Sequence, residues 1–432
     1  MSQPALRREL GRWDLTAIGV NQVIGSAIFL LPANVAKEIG PWGPMAFLLV
    51  GLASLLIALC FAEVGSRFEG TGGPYLYTRA AFGRFAAFQV GWMMWFTRAA
   101  SWAAVINVLV TSLGFYWPSV TTRWPRMLLI SSIILGIALI NIRGIRQSSL
   151  VVNALTIGKV VPLVVFIAAG IFFVQPGFLV PAGGVSLAAL SSSGLALIFA
   201  FGGYEVVSVP AGEARNPRRD VPFALIMTIV IVTAIMTLIQ VVAQGTLPGI
   251  AHSTTPLADA SKLFLGGAGA ALITVGAVLS TTGNNMGQAL SGPRNLFALA
   301  EQGDLPRFFG VVHPRFRTPV NAIVFTAAVA LVLAVSGRFA PLALASAISR
   351  LIVYVFTCAA TLRLRKPRFQ ALVQPPTFVV PFGPLIPAAA IVIALTILAG
   401  ARSNQLIAGV VALGVGAVLY LVAVGSRGAR SA

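Results

Sequence analysis

Apolar blocks of membrane-crossing length constrain this chain more than any other feature. Met45–Cys60, Leu155–Val174, Ala224–Val242 and Ala388–Gly400 are such blocks. About 20 apolar residues in a helix cross a hydrocarbon core. Lipid offers no partner to backbone N–H and C=O groups, so blocks this long are expected to be helical. Charged residues make up 9% of the 432, against about 25% in soluble domains. That balance excludes a set of soluble domains, a disordered chain, a collagen and a disulfide scaffold.

Twelve candidate spans lie near residues 14–38, 43–66, 85–113, 126–142, 148–174, 187–212, 222–246, 263–290, 319–336, 341–363, 382–400 and 405–425. The expected fold class is therefore an all-α polytopic membrane protein. Cys60 and Cys358 fall inside spans, so no disulfide framework is indicated. The net charge of +19 raises the question of a nucleic-acid partner. Its distribution answers it. With the N-terminus inside, inner segments hold most of the Lys and Arg, including Arg7, Arg8, Arg12, Arg67, Arg215, Arg218, Arg294 and Arg365. Outer segments hold Lys37, Arg123, Arg126, Lys262, Arg338 and Arg402. The positive-inside rule then puts both termini in the cytoplasm and the chain in the cell inner (plasma) membrane. It leaves no feature for nucleic acid to explain. The basic stretch before residue 14 imitates a secretory signal, but the many later spans favour a retained first helix.

Two spans carry matching interruptions. Span 1 reads Gly25-Ser-Ala-Ile-Phe-Leu-Leu-Pro32-Ala33, and span 6 reads Gly203-Tyr-Glu-Val-Val-Ser-Val-Pro210-Ala211. Glycine permits a backbone excursion, and proline removes a helical donor. Gly and Pro are common in membrane helices, so one match alone would mean little. Two matches five spans apart place the second in a helix of opposite direction, as inverted repeats require. A helix broken at mid-membrane presents free N–H groups to an anion and free C=O groups to a cation. A zwitterion carrying both charges on one carbon satisfies both sets, and an α-amino acid is such a molecule.

Span 1, Asn21-Gln-Val-Ile-Gly-Ser-Ala-Ile-Phe-Leu-Leu-Pro-Ala-Asn34, resembles the first helix of the amino acid–polyamine–organocation transporters. So do Ala62-Glu63, Gly72-Gly-Pro-Tyr-Leu-Tyr77, Phe199-Ala-Phe-Gly-Gly-Tyr-Glu205, Glu213-Ala-Arg-Asn-Pro217, and the stretch from Arg294 through Gly303-Asp-Leu-Pro306 to Thr318-Pro319. The resemblance covers almost the whole chain. It implies a LeuT-type 5+5 inverted repeat with two additional C-terminal helices, twelve transmembrane helices in all, with spans 1 and 6 broken. The corresponding divisions are 1–13, a cytoplasmic N-terminus; 14–174 and 187–363, the two repeats; 382–425, the two extra helices; and 426–432, a cytoplasmic C-terminus.

Carried over by position, the resemblance puts the substrate carboxylate on the Ser26 hydroxyl and the Ala27 amide. The ammonium would rest on the carbonyls of Val23, Phe199 and Gly202, and Phe199 would close over the substrate. Ile24, Gly25, Ala200, Gly203 and Tyr204 complete the two breaks. Ala27 stands where the family usually has a second glycine, which narrows the approach for bulky substituents.

The intramembrane ionisable residues are costly and therefore informative. Lys159 resembles the span-5 lysine that proton-coupled and exchanging relatives place where sodium-coupled ones bind an ion. It is a coupling candidate, or else a fixed strut between spans 1 and 8, near Thr282. Arg98 and Arg350 lie near the middle of their spans, and Glu205 directly follows the span-6 break. One arginine is expected to pair with Glu205, leaving the other to face an anion. Thr97 and Arg98 match a stretch that lines the side-chain pocket in relatives. A guanidinium there disfavours cationic substrates. Glu63 is expected to pair with Arg67. Asn284, Asn285 and Gln288 form, with Ser280–Thr282, a polar run that either glues helices or faces the substrate.

His252 and His313 lie in loops without metal-ligand company, and no nucleophile stands with a base. No cofactor, metal or accessory subunit is indicated, and enzyme chemistry is not expected. The expected partners are an amino acid, protons and membrane lipid. The reading is secondary active transport of neutral or acidic amino acids by proton-coupled symport. The alternative is an amino acid exchanger without obligatory proton coupling. More remote is a non-transporting membrane sensor or partner subunit.

Overall fold

The computed structural model describes residues 6–113, 117–181, 183–336, 339–401 and 403–431. Helices run in the order α1 Arg12–Val23, α2 Leu31–Ile39, α3 Gly43–Gly65, α4 Pro74–Phe82, α5 Arg84–Leu113, α6 Arg123–Arg143 and α7 Ile145–Gly170. There follow α8 Leu187–Phe201, α9 Pro217–Thr246, α10 Pro256–Glu301, α11 Val320–Val335, α12 Phe339–Leu364, α13 Pro367–Gln370, α14 Leu385–Ala399 and α15 Ser403–Ser431. Among the described residues there is no strand, only an isolated bridge between Leu10 and Ala214.

Seven stretches among the described residues are long and apolar enough to cross a membrane: Leu31–Gly65, Arg84–Thr111, Arg123–Arg143, Ile145–Phe173, Pro217–Thr246, Pro256–Glu301 and Leu406–Ala423. Val320–Val335 and Leu385–Ala399 are apolar but shorter. The solvent around the bundle is written on α6. It buries Ile130, Ile134, Ile137 and Ala138, yet exposes Leu128, Leu135 and Leu139. A helix apolar on both its packed and its exposed face is at home against lipid. This is a multi-pass helical membrane protein.

Span 1 is broken where its residues predict. α1 stops at Val23, Gly25 is extended (φ −94°, ψ −160°), a 3₁₀ turn covers Ser26–Phe29, and α2 resumes with Pro32 in its first turn. Proline costs nothing there, because a first-turn N–H has no helical acceptor. Span 6 breaks more deeply than a single interruption. α8 ends at Phe201, and Gly203 takes φ +123°, open essentially to glycine alone. Only the 3₁₀ turns Tyr204–Ser208 and Ala211–Glu213 follow, separated by Val209 and Pro210. The second half of span 6 is thus a chain of tight turns.

Span 8 also departs from expectation. α10 is far longer than residues 263–290 and bends at Gly266 (φ 64°, ψ −156°), again a conformation reserved for glycine. It packs on α5 and α7, while α1 is lodged among α7, α9 and α10. The broken span therefore sits inside the bundle, with its polar backbone shielded from lipid.

One end of the bundle is stitched together. Glu9 and Leu10 donate backbone hydrogen bonds to Glu213 O (2.9 and 3.0 Å), and Arg215 returns one to Leu10 O (2.9 Å). Glu213 itself accepts both Nε (3.1 Å) and Nη2 (3.2 Å) of Arg294, and both side chains are fully buried. Nearby, buried Asp304 accepts the Tyr75 hydroxyl (2.6 Å) and the Arg84 guanidinium, tying α4 to the loop after α10.

Candidate substrate site at the two helix breaks

A helix that stops in mid-membrane leaves carbonyls without donors. At the end of α1 those carbonyls are taken by one amine. Lys159 Nζ donates to Asn21 O (2.9 Å), Ile24 O (2.8 Å) and Ser280 O (3.4 Å), and the side chain is wholly buried. Ser280 Oγ adds a second donor to Ile24 O at 3.0 Å. Lys159 thus joins α7, the span-1 break and α10. It meets α10 at Ser280; Thr282 instead donates to Val278 O in its own helix (2.9 Å). The Val23 carbonyl accepts Gly25 N–H at 2.8 Å. Beyond it the backbone opens: Gly25 and Ser26 are half-buried and Ala27 is exposed. Space at Gly25 is tight, since a Cβ there would stand 3.3 Å from Asn284 Nδ2.

From this point a line of side chains runs to the second break. Asn284 Nδ2 donates to Gln22 O (3.2 Å), and Gln22 Nε2 donates to Asn284 O (3.1 Å). Gln288 Nε2 donates to Asn284 Oδ1 (3.2 Å), and Arg98 Nη1 donates to Gln288 Oε1 (3.1 Å). Arg98 Nη2 then bonds Glu205 Oε1. Glu205 Oε2 accepts the Gly203 N–H (2.9 Å) and the Tyr354 hydroxyl (2.8 Å). The two breaks also touch directly, because a Cβ on Gly203 would lie 3.1 Å from Gln22 O.

Glu205 corrects one expectation. Both arginines share it: Arg350 Nε approaches Oε1 at 3.3 Å, beside the Arg98 contact. The geometry explains why. Both guanidiniums are drawn out of water, and a single carboxylate is the acid within reach. The pair of arginines does not divide into a structural one and an anion-facing one. Arg350 also covers Gly202, where an added Cβ would run into its guanidinium. Tyr354, one helical turn after Arg350, was within reach of sequence reasoning because residues four apart share a helix face. Its ring stacks on Tyr204 with centroids 5.5 Å apart.

The remaining candidates fall around this line. Ala200 and Gly202–Tyr204 are buried at the span-6 break, while the Phe199 side chain lies outside the described residues. Thr97 Oγ1, Tyr204 Oη and Asn285 Oδ1 are buried without a hydrogen-bond partner. Asn285 spends its amide on Thr281 O (2.9 Å). Glu63 has a stronger partner than the expected Arg67. Arg365 grips it with two nitrogens (Nε–Oε1 2.7 Å), whereas Arg67 Nη2 stands 3.8 Å away. Nothing local in the sequence connects residues so far apart.

The sequence profile of the amino acid permease family matches residues 10–424. The chain belongs to this family. It is 28% identical to the branched-chain amino acid permease BcaP of Bacillus subtilis, over 97% of this chain and 94% of that one. It is 29% identical to the methylthioribose transporter of the same organism (89% and 86% covered). To its serine/threonine exchanger SteT the identity is 30%, over 89% of each chain. The resemblance to the amino acid–polyamine–organocation transporters read from the motifs is thereby established.

Proposed function

We propose that this permease carries a neutral or acidic amino acid across the plasma membrane by alternating access, as a secondary transporter with both termini cytoplasmic. The observation that carries the reading is the hydrogen-bonded line from Gln22 at one helix break, through Asn284, Gln288 and Arg98, to Glu205 at the other. Lys159 separately holds the Asn21 and Ile24 carbonyls of the first break. In this reading residues 14–174 and 187–363 are inverted five-helix halves of a LeuT-type fold, with 382–425 adding the last two of twelve spans. The substrate carboxylate sits on the Ser26 hydroxyl and Ala27 amide, where the backbone is open. Its ammonium rests on the carbonyls of Val23, Phe199 and Gly202. Two arginines against one carboxylate leave a net positive charge behind Gly202, which repels a cationic side chain. A neutral or an anionic side chain meets no such penalty.

Coupling runs through Lys159. An ammonium has three N–H donors, and the cradle offers three carbonyls. Losing a proton leaves two donors and loosens the hold between the span-1 break and α10, which links protonation to movement. This gives proton-coupled symport. The same full set of three acceptors also favours a second reading, in which Lys159 stays charged as a strut and the protein exchanges one amino acid for another. One relative is named as an exchanger. Uptake of a panel of labelled amino acids into proteoliposomes, with and without a pH gradient and internal substrate, decides. Symport requires the gradient and exchange requires internal substrate. Uptake dependent on sodium alone overturns both.

A further inference from the structure

Away from the helix breaks, at the end of the bundle where Leu10 meets Ala214, a cavity of about 480 Å³ lies between the end of α3, the end of α12 and the segment that follows α13. Arg67, Arg365, Glu63, Gln370, Pro375 and Val379 line it. The segment roofing it is held in place at several points. Thr377 N donates to Ser66 Oγ (3.1 Å), Val380 N donates to Glu63 Oε2 (2.8 Å), and Arg218 reaches Ser66 O (3.0 Å) and Pro375 O.

The charges in this cavity do not balance. Glu63 is consumed by Arg365 and Val380, which occupy both of its oxygens. Arg67 is left at 3.8 Å from the nearest carboxylate oxygen, beyond hydrogen-bonding distance. It is only 5% exposed, and its Nε has no partner. Burial makes its guanidinium easier to deprotonate than usual, and Glu63 only partly offsets this. A buried cation with an unmet donor is a costly arrangement, normally completed by an anion.

We propose that this cavity binds a phosphate-bearing anion, held by Arg67 with Arg365 beside it. The fork of N–H groups on a guanidinium matches phosphate oxygens, and the pair supplies one positive charge beyond what Glu63 neutralises. A basic pocket between membrane helices at a bundle end is open to two sources of this chemistry, free phosphate and the headgroup of an anionic phospholipid. Occupancy locks the 375–380 segment onto α3 and α9, through the contacts at Ser66 and Arg218. This site is separate from the substrate site and does not depend on the transport cycle assigned to it.

The test is thermal unfolding of the purified protein in phosphatidylcholine nanodiscs, titrated with inorganic phosphate at constant ionic strength, and in parallel in phosphatidylglycerol nanodiscs. A saturable rise in Tm with phosphate identifies the free anion, and a rise only in phosphatidylglycerol identifies the lipid. In either case Arg67→Gln weakens the apparent affinity or the lipid effect by about tenfold or more, the loss of one charge-assisted hydrogen bond. No rise in either arm, or an equal rise in Arg67→Gln, overturns the site. If the variant does not fold, hydrogen exchange of the wild type decides: slowed exchange in residues 366–380 with phosphate or phosphatidylglycerol supports the site, and unchanged exchange refutes it.

Discussion

The amine of Lys159 stands 2.8 Å from the carbonyl oxygen of Ile24, the residue at which α1 gives up its helix. One side chain from α7 thus completes the hydrogen bonding of a break in another span. If coupling passes through it, Lys159→Ala abolishes gradient-driven accumulation in proteoliposomes while substrate binding, read by thermal shift, survives. If the protein exchanges, the same variant slows exchange several-fold and the pH gradient has no effect on either form. A variant that accumulates substrate like the wild type removes Lys159 from the mechanism.

Glu205 holds two arginines, so the acid matters more to stability than either base. Glu205→Ala leaves both Arg98 and Arg350 without their carboxylate and is expected to cost about 3–5 kcal/mol. That loss appears as a lower Tm and as reduced transport of every substrate alike. Arg98→Ala costs less, because Arg350 and Tyr354 still satisfy Glu205. Equal Tm values for the two variants contradict the shared-carboxylate arrangement.

The breaks themselves tolerate little. Gly25→Val puts a branched side chain against Asn284, and uptake should fall to background while insertion and purification stay normal. Gly203→Ala forces a methyl group into φ +123° and toward Gln22 O, at an expected cost above about 1 kcal/mol. Wild-type uptake by Gly25→Val rejects the proposed carboxylate cradle.

The buried pair of Glu213 and Arg294 gives a double-mutant test. Arg294→Met strands a fully buried carboxylate and should destabilise by about 3–5 kcal/mol. Adding Glu213→Leu should restore much of that, since a packed apolar pair replaces the charges at little net cost. Denaturation of the four proteins in one detergent measures the coupling. Additive losses rule out the direct contact as the cause.

The two breaks were readable because Gly25 with Pro32 and Gly203 with Pro210 repeat one spacing in two spans. A single residue would not have sufficed, since Pro162 and Pro293 sit inside continuous helices. Lys159 was readable because a lone amine in an apolar run demands acceptors. The tight turns that replace the second half of span 6 were not, since hydrophobicity there equals that of a helix. Nor was the division of acids among bases. Arg365 reaches Glu63, and Arg350 joins Arg98 on Glu205, through packing of α12 against α3 and α5. Such choices depend on which helices become neighbours, and residue types along the chain carry no record of that. Gly266 was overlooked because a glycine in a long apolar helix reads as a packing residue until its φ is known.

The backbone bonds that Glu9 and Leu10 make to Glu213, returned by Arg215, have a mechanical consequence. They fasten the entrance of the first broken span to the exit of the sixth. A displacement of one of these ends must therefore carry the other with it or break those three bonds. Because Glu213 is also held by Arg294, the same joint anchors both broken spans to α10.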